Sequence, residues 1–200
     1  MKISKIEPQQ KNKNRCSIYI DGEFRFSLTK ELVLKHDLKE DDEISEPEIK
    51  DILMEEEKGK VRNRALKILH FRQRSIKELR KRLLSIGFDA LLVNDVIEEL
   101  RADNTLNDEQ FAQAFIGDYT TLRPKGNKFI VRELRKHGIS SDIIAELLTN
   151  RDERALIKRF IEKKLGHLDK TKLKERQKII RRLLYHGFTP DIIYETIDKY

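Results

Sequence analysis

Three times this chain repeats one short phrase: a basic amphipathic segment, a glycine, an apolar residue, a capping residue and an acidic amphipathic segment. The copies are LRKRLLSIGFDALLVNDVI, IVRELRKHGISSDIIAELL and IIRRLLYHGFTPDIIYETI, pivoting on Gly87, Gly138 and Gly187. The pivots stand 51 and 49 residues apart, a period that marks an array of supersecondary units. Each follows Leu83, Leu134 or Leu183 by four residues and precedes Phe88, Ile139 or Phe188. Two residues past each pivot sits Asp89, Ser140 or Thr189, side chains that accept from the free N–H groups of a new helix. A helix that stops and turns sharply ends on a left-handed residue, which glycine adopts without steric penalty. The repeat predicts that function lies on a face shared by the copies, not in one pocket.

The phrase predicts a mainly α fold of three tandem three-helix units over residues 60–104, 105–150 and 151–200, behind a small β-rich cap over residues 1–55. In the cap, ISKIE, RCSIYI and EFRFSL alternate as strands do, and Asp21-Gly22 is a two-residue hairpin signal. Thr29 caps a short helix, residues 39–48 form an acidic exposed turn, and residues 49–72 read as a helix broken near Gly59. In unit one, Ser75 with Glu78 three residues on spells a capping box. Ala65, Leu66, Ile68 and Leu69 form the inner face of its first helix, Ile76, Leu79 and Leu83 that of its second. Asn107 or Asp108 opens unit two, whose first helix turns Phe111, Ala112, Phe115 and Ile116 inward and breaks at Arg123–Gly126. Unit three opens near Asp152, with Ala155, Leu156, Phe160 and Ile161 inward. Its second helix buries Ile179, Ile180, Leu183 and Leu184, and Pro190 takes the first position of its last helix.

Charge follows the same phrase. Residues 61–87 hold 9 basic and 1 acidic residue, residues 88–122 hold 1 and 8, residues 123–137 hold 6 and 1, and residues 150–186 hold 13 and 5. Basic charge thus precedes each pivot, within a formal net charge of +7. Units stacked in phase lay those cations along one side, a stripe that favours DNA or RNA. Lys81, Arg132 and Arg181 each stand six residues before a pivot. Around them Arg72, Arg74, Lys77, Arg123, Lys125, Lys128, Lys174, Lys178 and Arg182 complete the candidate partner-binding or nucleic-acid-binding set. Stacking aromatics are few, Tyr185 and Phe71, and no base-reading code is apparent, which predicts weak sequence preference and strong salt dependence.

Chemistry is sparse. His36, His70, His137, His167 and His186 are dispersed, and His137 and His186 read as cations at helix ends rather than metal ligands. Phosphate-cradling glycine loops and nucleophile elbows are missing. A nuclease assembling carboxylates from several helices is the catalytic alternative, and Asp108 and Glu109 read as first-turn acids favoured by the helix dipole. The single cysteine, Cys16, lies in a strand and reads as a buried thiol. No apolar run reaches the roughly 20 residues that cross a bilayer, and the first ten residues lack a secretion signal's apolar core. The expectation is a cytoplasmic protein without catalytic residues, cofactor or metal. The lack of an obvious apolar stripe points to a monomer.

The residues resemble the RecX family of bacterial recombination regulators. Ala65, Leu69, Arg72, Arg74-Ser75, Glu78-Leu79, Leu83, Gly87-Phe88 and Val96 are similar to the family's opening signature. Leu106, Asp108, Phe111-Ala112, Phe115, Gly126, Ile130, Glu133-Leu134 and Gly138-Ile139 are similar to its central one. Many members carry tryptophan where Phe115 stands, and the third unit keeps the spacing without the wording. The resemblance implies tandem three-helix units lying in the groove of a RecA–single-stranded DNA filament. There they would inhibit or otherwise modulate strand exchange, ATP hydrolysis and filament growth in DNA recombination and repair. It implies no catalysis and no cofactor. The alternative reading of the same residues is a general nucleic-acid-binding helical-repeat protein, not sequence-specific and unconnected to RecA.

Overall fold

The computed structural model describes residues 1–198. Three strands, β1 (Ile3–Pro8), β2 (Arg15–Ile20) and β3 (Glu23–Thr29), precede ten helices among the described residues: α1 (Lys30–Lys35), α2 (Glu46–Phe71), α3 (Ile76–Ile86), α4 (Ala90–Ala102), α5 (Asp108–Thr121), α6 (Asn127–Lys136), α7 (Ser141–Leu148), α8 (Glu153–Leu165), α9 (Leu173–Tyr185) and α10 (Pro190–Asp198). The expected β cap and three helix triplets are present. The chain divides into two compact units, one of residues 1–71 with 82–99, the other of residues 72–81 with 100 onward.

In the first unit the strands form one antiparallel sheet in the order β1-β2-β3. Asp21 and Gly22 both take positive φ, 51° and 90°, between the paired Ile20 and Glu23, the hairpin geometry their identities encode. Ile3, Ile18, Ile20, Phe26 and Leu28 share a core with Cys16, Leu32, Ile44, Ile49 and Ile52. Thr29 caps α1 through Leu32 N–H. The acidic turn ends earlier than expected. Ser45 and Glu48 close a capping box, Ser45 N–H and Oγ both reaching Glu48 Oε2 at 2.8 and 2.6 Å, so α2 begins at Glu46. The expected break near Gly59 is not there, because good helix formers flank it on both sides and one helix of 26 residues runs through. Arg15 Nη1 and Thr29 N–H bind the two oxygens of buried Glu56, at 2.6 and 3.0 Å. This pair fixes α2 on the sheet.

In the second unit, Phe111, Ala112, Ile116, Ile130, Leu134, Ile139 and Ile144 form one core, and Leu156, Ile157, Phe160, Ile161, Leu165, Ile179, Leu183, Phe188, Ile193 and Ile197 another. Each contains the apolar residue after its pivot, since Gly138 and Gly187, at φ 86° and 85°, turn Ile139 and Phe188 back under the helix just ended. Asn107, Ser140 and Asp152 cap α5, α7 and α8 through their side chains. Three expected inner positions are corrected. Leu66 and Leu184 are exposed, and Ala155 lies outward while Ile157 is fully buried. Phe115 packs half-buried against the unit-two core, where it meets the rings of Phe111, Tyr119 and His137.

Candidate nucleic-acid interface

The middle helix of each triplet carries the cation six residues before the pivot, and within the second unit these helices meet end to end. The carbonyl of His137, which ends α6, accepts from Ser75 Oγ at the start of α3 at 2.7 Å. A Cβ on Gly138 would press on the Lys77 stem, 2.9 Å from Cδ. The same clasp recurs one copy later. The carbonyl of His186, which ends α9, accepts from Gly126 N–H at the start of α6 at 3.0 Å. A Cβ on Gly187 would stand 2.8 Å from Phe129 N. Positive helix starts thus face negative helix ends.

Acids at the starts of the first helices complete each joint. Asp108, the first residue of α5, accepts from Ile76 N–H of α3 at 2.9 Å. Glu153, the first residue of α8, accepts from Asn127 N–H of α6 at 2.7 Å. Burial pushes both carboxyls above their usual range, against the pull of those N–H groups. Asp108 therefore serves a neighbouring helix, where the sequence suggested its own. The Ser75–Glu78 box does not close as expected. Glu78 N–H does reach Ser75 Oγ, but the Glu78 carboxylate is taken by Arg72, at 3.1 and 3.3 Å, and His137 Nδ1, at 3.3 Å.

The outward faces follow from spacing. Lys81, Arg132 and Arg181 lie midway between the buried pairs Leu79 and Leu83, Ile130 and Leu134, and Ile179 and Leu183. Two residues turn a helix by about 200°, so each cation points away from its core, and all three are exposed. Lys77, Arg123, Lys128, Lys174, Lys178 and Arg182 are exposed too. Others are partly engaged. Arg72 is held by Glu78, Arg132 by Glu133 at 2.9 Å, and Arg74 is half-buried with Nε lacking a hydrogen-bond partner. The bond from Lys136, with Arg132 adding to it, holds Glu133 below the usual carboxylate range.

Lys125 is half-buried, its ammonium 5.0 Å from the Phe129 ring centre and 5.6 Å from that of Tyr185. Burial and the neighbouring Arg132 lower its pKa. Tyr185 itself is 81% exposed and lines a groove of about 870 Å³ together with Val131, Leu184, Phe188, Lys128, Arg132 and Arg135. Such a cation-lined aromatic platform suits a single strand. The expected helix-end histidines stand at the C-caps of α6 and α9 and pack on first-helix rings, His137 on Phe111 and His186 on Phe160.

Sequence reasoning missed Arg151. Its guanidinium donates to the carbonyls of Tyr119 and Lys125, at 3.0 and 2.6 Å, and to Thr120 Oγ1 and Asn127 Oδ1, at 2.9 and 2.5 Å. It thereby fixes the loop that carries Arg123 and Lys125. Among the described residues, no group of three or more His, Cys, Asp and Glu is placed to hold a metal ion, and no helix is long and apolar enough to cross a membrane.

Fold and surface together define a tandem three-helix-repeat protein with exposed cations along its middle helices. Residues 1–45 match the Regulatory protein RecX N-terminal domain, and residues 62–100, 107–148 and 152–197 match the first, second and third RecX three-helix domains. The chain belongs to the RecX family of regulatory proteins. It is 37% identical to Regulatory protein RecX of Clostridium perfringens (strain SM101 / Type A), over 84% of this chain and 80% of that protein. It is 34% identical to the Bacillus subtilis (strain 168) relative, over 74% of this chain and 56% of that longer protein. A crystal structure of regulatory protein RecX superposes with a TM-score of 0.79 at 26% identity, over 100% of this chain and 99% of that one. RecX from Lactobacillus salivarius gives 0.61 at 25% identity, over 72% and 96%.

Proposed function

We propose that this chain binds RecA–single-stranded DNA filaments along its middle helices and inhibits recombinase activity, as a cytoplasmic monomer without a catalytic step or cofactor. The carrying observation is the end-to-end meeting of α9, α6 and the start of α3, which gives the exposed cations of successive copies a common path. A filament repeats the same anions at a fixed spacing, so each engaged copy raises the effective concentration for the next. Family membership supports the recombination setting, and the groove beside Tyr185 supports contact with an unpaired strand.

The test is RecA-dependent ATP hydrolysis on single-stranded DNA. Substoichiometric protein should lower the rate, and the triple variant Lys81→Glu, Arg132→Glu, Arg181→Glu should restore most of it. A rate indifferent to the protein overturns the proposal. DNA affinity that does not respond to RecA would instead favour general nucleic-acid binding.

A further inference from the structure

A second concentration of cations lies off the middle-helix path. A cleft of about 510 Å³ opens between the α5–α6 loop and α8. Arg123 and Lys125 line it from the loop, Arg159, Lys163 and Lys164 from α8, and His186 from the end of α9, and no carboxylate is among the lining residues. We propose that this cleft is a discrete phosphate-binding site, holding one phosphate or pyrophosphate group between the loop and α8.

Three observations carry this. First, the charge is uncompensated where the other basic surfaces are partly neutralised: Arg72 and Arg132 have Glu78 and Glu133, whereas the cleft presents five cations and no acid. Second, the walls are fixed in advance. Arg151 holds the carbonyls of Tyr119 and Lys125, and Gly126 N–H holds the His186 carbonyl, so the loop cations need little ordering when an anion enters. Arg159 and Lys163 stand four residues apart on α8 and so share a face. Third, His186 Nδ1 is shielded from solvent without a hydrogen-bond partner, a polar atom in want of one. Lys125 and Arg182 face the His186 ring and, after burial, help lower its pKa, against the Pro124 carbonyl. Phe160 and Tyr185 pack beside it. A bound anion reverses the sign of that field and raises the pKa of His186. A backbone phosphate of nucleic acid and a free nucleoside polyphosphate present the same group. Only the first source rests on the function proposed above.

The experiment is a pyrophosphate titration of the full chain at constant ionic strength, read from the imidazole resonances, with His186→Asn identifying the relevant one. The expected result is a saturable shift complete below about 1 mM and a raised His186 pKa. Arg159→Gln with Lys163→Gln should weaken binding at least about tenfold, while Lys11→Gln with Lys13→Gln, in the β1–β2 connection and part of no assigned site, leaves it unchanged. Should the α8 variant not fold, Arg123→Gln reads the same loss from the loop side. A shift linear in pyrophosphate, or equal affinity in the cleft variants, overturns the site. An oligothymidylate arm separates the sources: displacement of pyrophosphate assigns the cleft to backbone phosphate, and simultaneous binding assigns it to a free anion. Failure of the titration alongside intact DNA binding sinks the cleft alone. Saturation with no filament inhibition sinks the regulatory reading alone.

Discussion

Replacing Gly126 by alanine isolates the joint between the second and third copies. Gly126 has φ −73° and ψ 160°, ordinary extended backbone, so alanine brings no torsional strain. It even removes unfolded-chain freedom, a gain of about 0.4–1 kcal/mol. The new methyl has nowhere to go. Its nearest neighbours are the carbonyl of Gly187 and the amide of Phe188, both backbone and both well inside the 3.0 Å that real Cβ atoms essentially never breach. The two helix ends must separate, at an overpacking cost of about 1–3 kcal/mol. Separation also breaks the 3.0 Å bond from Gly126 N–H to His186 at a buried residue, costing about 1–3 kcal/mol more. The net expectation is a loss of about 1–5 kcal/mol at this joint. Because repeat arrays lose cooperativity copy by copy, native-state amide exchange is the suitable readout. Amides of α8, α9 and α10 should exchange faster while those of the β-sheet hold. A variant within about 0.5 kcal/mol of the parent, or one whose sheet loosens equally, refutes the clasp.

Three further outcomes follow from the same geometry. Arg151→Met removes the fork that holds the loop carbonyls, with an expected loss of about 3–5 kcal/mol in urea unfolding. Arg151→Lys should recover only part of it, because an ammonium cannot reproduce the planar fork. For Glu153, whose carboxyl is raised by burial above 4.5, the folded chain holds more proton than the unfolded one between the two values. Its contribution is therefore best below the unfolded value and falls as pH rises through the folded one. The stability difference between the parent and Glu153→Gln should therefore fall as pH rises through that window, and a difference that stays constant across it contradicts the assignment. Finally, single-stranded DNA affinity should fall about 300-fold between 50 and 200 mM salt if about six phosphates are engaged. Fluorescence anisotropy would show it, each charge reversal at Lys81, Arg132 or Arg181 should shallow the slope, and a flat titration removes the ionic interface.

The parts legible in the sequence are those that a local pattern dictates. Glycine at a helix end, Asp-Gly between alternating strands and proline after Thr189 each impose a backbone state from within a few residues. What escaped depends on distant partners. The bond from Ser75 to His137 spans 62 positions and that from Asn127 to Glu153 spans 26. Periodicity, which judges one element at a time, carries no trace of either. Glu78 fits a capping box by spacing, yet Arg72 and His137 outbid Ser75 for it. Gly59 looks like a break because glycine is a poor helix former, but the roughly 1 kcal/mol it costs is small beside a helix anchored by Glu56 and Ile52. For the candidate interface, the middle-helix cations were readable from their phase, whereas the α8 wall of the cleft needed the fold to bring it beside the loop.

The first pivot differs from its siblings in one respect. Gly87 keeps the left-handed turn, φ 101°, yet a side chain there would meet nothing within 4 Å. The glycine there answers to torsion alone, whereas at Gly138 and Gly187 it answers at once to torsion and to a neighbour's stem or backbone. Asparagine, which tolerates left-handed backbone, should therefore be mild at the first pivot and severe at the other two.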